Sequence, residues 1–299
     1  MMVGLVTSNA YSQPAFSLIR ANKMVFNPAF TGLDTAFKHQ ASLFSEFDYN
    51  NPGNYQYVYS SSIATFQMGL DKINSGVGIM VNYSYISDPF SETDNQLAAK
   101  LYYRYTFLPG LSIGIDAGVV DLKSHYQYGP IMEIFSYVPY TNATINNFDF
   151  DGGAGILYQR KSFYAGVTID HITSPKSTYP DYIYYTEGPM LYYSGISYNW
   201  IVGSSLRLGH KTTLDFYLSY RSNITDLNLT FRASHFFIGI STLFESYTYS
   251  DMLINTDFPS ALMCGLNLYH NKLKISFAYD IYTDPYYSAP FEGGISFSY

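Results

Sequence analysis

The chain has 299 residues, of which 13% are charged and 19% aromatic, with a formal net charge of −7. Charge at about half the ~25% of soluble domains leaves little to cover a water-facing surface, and the acidic balance excludes the basic stripe that nucleic-acid binding requires. One cysteine, Cys264, permits no internal disulfide and no thiolate metal cage. No apolar run reaches the ~18 residues of a spanning helix.

The first twelve residues read as the remnant of a signal peptide or a misplaced start. Ala10-Tyr11-Ser12 before Gln13 fits a small-x-small cleavage site, but the stretch is short and lacks a positive n-region. Residues 13–34 carry Phe16, Leu18, Ile19, Met24, Val25 and Phe26. Such a segment is expected to plug a lumen or lie at its periplasmic rim. Asn27-Pro28 and Gly32 punctuate it as a turn leading into the first strand.

From residue 35 to 299, alternation takes over. Leu111, Ile113, Ile115, Ala117 and Val119 share one phase of a period-2 pattern; Ser112, Gly114, Asp116 and Gly118 share the other. Segments of this kind fall near 35–49, 55–68, 75–86, 93–107, 110–123, 148–159, 162–171, 189–201, 207–221, 225–233, 235–245, 259–269, 272–282 and 290–299. The pattern predicts a transmembrane antiparallel up-and-down β-barrel of about fourteen strands, lipid-facing on its apolar phase, with girdles of Tyr and Phe. Tight connections at 108–110, 159–162, 233–235 and 270–272 alternate with long ones at 124–147, 172–188, 245–258 and 283–290. That alternation is expected when short turns are periplasmic and long loops external. Charges keep to the second phase. Lys100, Arg104, Asp116, Asp170, Arg232, Lys274 and Asp280 are therefore expected in the lumen, since a lipid-facing Lys or Arg at mid-depth costs ~2–4 kcal/mol. Their mixed signs suggest neutralisation or contact with a plug more than the one-sign ring of a selective pore. Cys264 falls on the apolar phase, as a small lipid-facing residue. The final Ile295-Ser296-Phe297-Ser298-Tyr299 has the aromatic ending of an outer-membrane assembly signal.

Several stretches resemble the PorP/SprF family of type IX secretion system outer-membrane proteins of Bacteroidota. Asn27-Pro28-Ala29-Phe30-Thr31-Gly32 is similar to that family's N-terminal element. Phe148-Asp149-Phe150-Asp151-Gly152-Gly153-Ala154-Gly155-Ile156-Leu157-Tyr158, with Phe163-Tyr164-Ala165-Gly166-Val167 and Asp170-His171-Ile172, resembles its central hairpin. Asp226-Leu227-Asn228-Leu229, Phe237-Ile238-Gly239-Ile240 and Ala278-Tyr279-Asp280 follow in the family's order. The family's Trp and Gly-Ala-Pro soon after the first element are missing, and its near-terminal Gly-Ser-His-Glu is only Phe291-Glu292-Gly293-Gly294. The resemblance implies a divergent paralogue in the bacterial outer membrane. Its implied partners are lipid, a type IX-exported adhesin held through its terminal domain, and periplasmic secretion or gliding components. A core secretion component and a small porin are the alternatives.

Catalysis finds no constellation. The six histidines stand singly, without metal-ligand spacing or a nucleophile elbow, so neither enzyme activity nor a cofactor is expected. Partner contacts are expected in the long loops. These carry Tyr126, Tyr128, Phe135, Tyr137 and Tyr140, then Tyr182, Tyr184 and Tyr185, a density of Tyr that marks interfaces or loops packed on one another.

Overall fold

A computed structural model describes residues 22–33, 38–50, 57–88, 92–128, 132–133, 136–137, 141–173, 176–178, 191–193, 196–221, 224–249, 252–255, 260–268, 272–281 and 291–299. Fourteen antiparallel strands form a closed barrel. They are β1 (His39–Asn50), β2 (Tyr57–Leu70), β3 (Ser75–Asp88), β4 (Glu92–Leu108), β5 (Leu111–Tyr128), β6 (Thr141–Arg160) and β7 (Phe163–Asp170). The second half comprises β8 (Ser197–Arg207), β9 (Thr213–Arg221), β10 (Ile224–Arg232), β11 (Phe236–Tyr249), β12 (Ser260–Leu268), β13 (Leu273–Ile281) and β14 (Phe291–Ser298). Each strand pairs with the next, and β1 pairs with β14, Ala41 opposite Phe297. Closure leaves no edge strand with unpaired backbone groups in lipid, where each would cost several kcal/mol. His39 and Tyr299 seal the seam by exchanging backbone hydrogen bonds of 3.2 and 3.1 Å, with their rings stacked 4.8 Å apart.

Period-2 geometry sorts the side chains. Along β4, Leu97, Leu101, Tyr103, Tyr105 and Phe107 are exposed on the outer face; Ala98, Lys100, Tyr102 and Arg104 are buried inside. Cys264 is exposed on the outer face of β12. The tight turns and the β1–β14 seam share one end, the periplasmic end of such a barrel. At Pro109-Gly110 the glycine has φ 84°, and a Cβ there would stand 2.5 Å from the Gln159 carbonyl oxygen, so only glycine fits this turn.

The strands differ in two places from the alternation pattern. β5 runs for 18 residues and β6 for 20, well into the stretch expected as loop 124–147. Outside lipid a strand has no reason to alternate greasy with polar. The outer face there carries an ion pair, Lys123 to Asp121 at 3.4 Å, and a hydrogen bond between His125 and Thr144 at 3.0 Å. β7 has only 8 residues, so the wall is tall on one side and low on the other. The second difference lies between β8 and β9, whose turn falls at 208–212 and not before 207. Gly203-Ser204-Ser205 has turn composition, yet Gly203 is mid-strand, where a Cβ would stand 2.3 Å from the Tyr164 ring.

Candidate functional site

Residues 22–33 lie inside the barrel. Two short 3-10 turns, Lys23–Val25 and Pro28–Phe30, carry Met24, Val25, Ala29 and Phe30, all buried. Asn27 caps the second turn: its Oδ1 accepts from the Ala29 N–H at 2.8 Å. The same side chain's Nδ2 donates to the carbonyls of Ile156 on β6 and Val167 on β7, each at 3.2 Å. One amide thus shapes the plug and fastens it to the wall. Pro28 suits the first position of such a turn because its missing N–H would have had no partner there. Thr31 closes the turn by donating from its hydroxyl to the Pro28 carbonyl at 2.7 Å, and the Gly32 N–H donates to Gln67 Oε1 at 2.9 Å.

The wall is cut to receive this backbone. A Cβ at Gly155 would stand 2.2 Å from Asn27 Oδ1, and one at Gly114 2.3 Å from the Pro28–Ala29 backbone. At Gly76 it would meet the Thr31 carbonyl oxygen at 2.1 Å, and at Gly78 the Met24 sulfur at 2.4 Å. The N-terminal element and the central hairpin, two of the stretches that bear the family resemblance, therefore meet in one interface, to which β2, β3 and β5 also contribute.

Two apolar islands interrupt the polar lumen where the plug lands. Met24 and Val25 pack on Ile63, Met80 and Tyr102. Ala29 and Phe30 pack on Leu157, Tyr164, Ile201 and Tyr217, with Phe30 edge-on to Tyr164 at 5.5 Å. Lys23 lays its ammonium 3.9 Å from the centre of the Tyr164 ring. Each fully buried Met, Val or Phe contributes roughly 1.5–3 kcal/mol. These wall residues escaped the sequence reading, although a signal exists. At Ile79-Met80-Val81, Ile156-Leu157-Tyr158 and Trp200-Ile201-Val202 both phases of the strand are apolar. One phase faces lipid and the other faces the plug.

Beside the plug lies a buried ion cluster. Lys100 Nζ sits 3.0 Å from Asp116 and 2.7 Å from Asp151, with all three side chains almost wholly buried. His171 Nδ1 reaches the same Asp151 oxygen at 3.0 Å, and Asn199 donates to Asp170 at 2.6 Å. Gly118 and Gly153 make room for Lys100 and the carboxylates, since a Cβ would stand 2.8 Å from Lys100 Cγ at the first and 2.5 Å from Asp116 Oδ2 at the second. Arg104 donates to Thr106 at 2.9 Å and to the Ser75 carbonyl at 2.8 Å. Of the other lumen charges named from sequence, Arg232 lies half-exposed at the periplasmic mouth, paired with Asp215. Lys274 sits 4.6 Å from the centre of the buried Phe237 ring. The Asp280 side chain lies outside the described residues. Asp151, His171, Asn199 and Asp226 are buried polar residues that the sequence reading left off its lumen set. For Asp151 the signal is the stretch Phe148-Asp149-Phe150-Asp151, whose phenylalanines are exposed outward and leave the acids on the inner phase.

Among the loop aromatics, Tyr126 and Tyr128 fall on β5 and Tyr137 on a two-residue strand, Ser136–Tyr137. Their side chains, and Phe135, Tyr140, Tyr182, Tyr184 and Tyr185, lie outside the described residues. Among the described residues, no group of three or more His, Cys, Asp or Glu is arranged to hold a metal.

The fold has known counterparts. The Ralstonia pickettii toluene transporter TbuX superposes with a TM-score of 0.56 at 10% identity, over 93% of each chain. A Pseudomonas aeruginosa FadL homologue gives 0.61 at 8% identity, over 91% of this chain and 92% of its own. At such identity the likeness is one of fold, the outer-membrane barrel. A search of curated proteins returns no match. The model of the type IX secretion system membrane protein PorP/SprF family matches residues 8–295. With two of the resemblance-bearing elements meeting in one plug interface and the match spanning nearly the whole barrel, the chain belongs to the PorP/SprF family of the bacterial outer membrane.

Proposed function

We propose that the protein is a non-catalytic partner of a large type IX-exported surface protein, which it holds at or helps deliver to the cell surface through that protein's terminal domain. The observation that supports this most is the segment held inside the lumen. The chain's own residues 22–33 occupy the barrel and are fastened to two separate stretches of its wall, at Gln67 on β2 and at Ile156 and Val167 on β6 and β7. A barrel whose lumen holds a segment of its own chain serves better as a docking platform than as an open pore. Membership of a type IX secretion family supports the class of partner. The test is affinity purification of the tagged full chain from native outer membranes. Co-purification of a very large exported surface protein is expected. Recovery of secretion motor and ring proteins in its place would favour the core-component role.

A second reading is a gated channel. It is favoured by the fold shared with proteins named as toluene transporters. Here the plug would be a gate and the ion cluster part of its path. Steady open conductance of the native chain in planar bilayers would support this reading over the first.

A further inference from the structure

The periplasmic rim has the opposite sign to the chain as a whole, which is −7. Around the tight turns joining β2 to β3, β6 to β7, β8 to β9 and β12 to β13 stand Lys72, Arg160, Lys161, Arg207, Lys211 and Lys272, every one exposed. Asp71 is the one carboxylate among the described residues of those turns. The cations are spread over four turns around the circumference. They make a ring, not a patch on one flank.

Depth argues for what meets them. The outermost aromatic positions on this end, Phe107, Tyr158, Phe163, Phe236 and Tyr299, are exposed on the lipid side. Short turns leave the cations only a residue or a few beyond that level, at ~3.3 Å per residue along a strand. The headgroup layer of one leaflet is roughly 5–7 Å deep, and long Lys and Arg side chains snorkel toward it. Exposed Ile73 and Leu208 in the same turns suit the boundary between acyl chains and headgroups.

We propose that this ring binds the phosphates of anionic phospholipids in the periplasmic leaflet, fixing the barrel's depth and tilt. The ring geometry and its single depth match a lipid annulus. An acidic protein would be met by charge gathered on one flank or projecting further from the membrane.

The full chain is reconstituted in nanodiscs of mixed phosphatidylglycerol and phosphatidylcholine, and the lipids retained on gentle release are counted by native mass spectrometry. Phosphatidylglycerol is expected to be retained over phosphatidylcholine by about threefold or more, and that preference to collapse near 1 M salt, where screening falls to ~3 Å. The combined variant Lys72→Glu, Lys161→Glu, Arg207→Glu and Lys211→Glu is expected to lose the preference, and its glutamine counterpart to lose most of it. Lys123→Glu, at the far end of β5, is expected to keep it. Heat-modifiable migration in gels reports that each variant is folded. Equal retention of the two lipids by the native chain would overturn the proposal. So would an unchanged preference in the folded variants, including the case where they shed only a periplasmic protein.

Discussion

Lys100 is the cation at the centre of the buried cluster on the inner wall. Its ammonium meets two carboxylates at 3.0 and 2.7 Å with almost no access to water. Removing one partner of such a buried pair leaves uncompensated charge and costs about 3–5 kcal/mol. Lys100→Met should lower the urea midpoint of unfolding in detergent micelles accordingly. Adding Asp151→Asn should recover part of that loss, and no recovery would mean the pair is not coupled. A second prediction concerns Gly155, where a methyl group would strike Asn27 Oδ1 at 2.2 Å. Gly155→Ala should destabilise by roughly 1–3 kcal/mol through overpacking. Asn27→Ala alone should cost on the order of 1–3 kcal/mol by leaving buried partners unsatisfied. Because the two changes act on one contact, their effects in the double variant should fall short of additive. Additive effects would show that the amide and the glycine do not meet.

At the scale of elements, strand and plug obey different rules. A lipid-facing strand needs only alternation, and Leu101 on β4 is among its most exposed residues. Leu101→Lys should cost ~2–4 kcal/mol at mid-depth, read by unfolding in phospholipid vesicles. The plug needs complementary shape, supplied by glycines on β3, β5, β6 and β7. Deleting residues 22–33 should convert a chain that is closed in planar bilayers into one with step conductances. Asn27→Ala, which keeps the plug but loosens it, should give brief openings. A deletion as silent as the native chain would show that something else closes the lumen. Most strand spans near the membrane were legible because lipid imposes a period; the β8–β9 turn was not, because Gly203-Ser204-Ser205 has the composition of a turn. The spans of β5 and β6 above the membrane were not, because water on both faces imposes none.

For the whole molecule, closure is the decisive property. The last strand pairs with both β1 and β13, and Ala41 opposite Phe297 and Gln40 opposite Ser298 lie at its final residues. Removing 297–299 should abolish the compact, heat-modifiable form in gels, because an open sheet exposes unpaired backbone to lipid. Retention of that form would show the seam tolerates a shorter strand. The tall side formed by β4, β5 and β6 stands beyond the bilayer on the face where the long loops emerge, and this is where the proposed partner would first be met.

What the sequence by itself determined was the barrel, its strand number and which phase faces lipid. Each of these follows from neighbours two residues apart, and a charge in lipid is too costly to hide. It also marked Asn27, Pro28 and Gly32 as a turn. Only the tertiary structure decided what that turn is for, because its partners, Ile156 and Val167, lie 129 and 140 residues away. The apolar residues seated under it look, along their own strands, like faults in the alternation. They become a binding surface only when the barrel closes around the segment that precedes it.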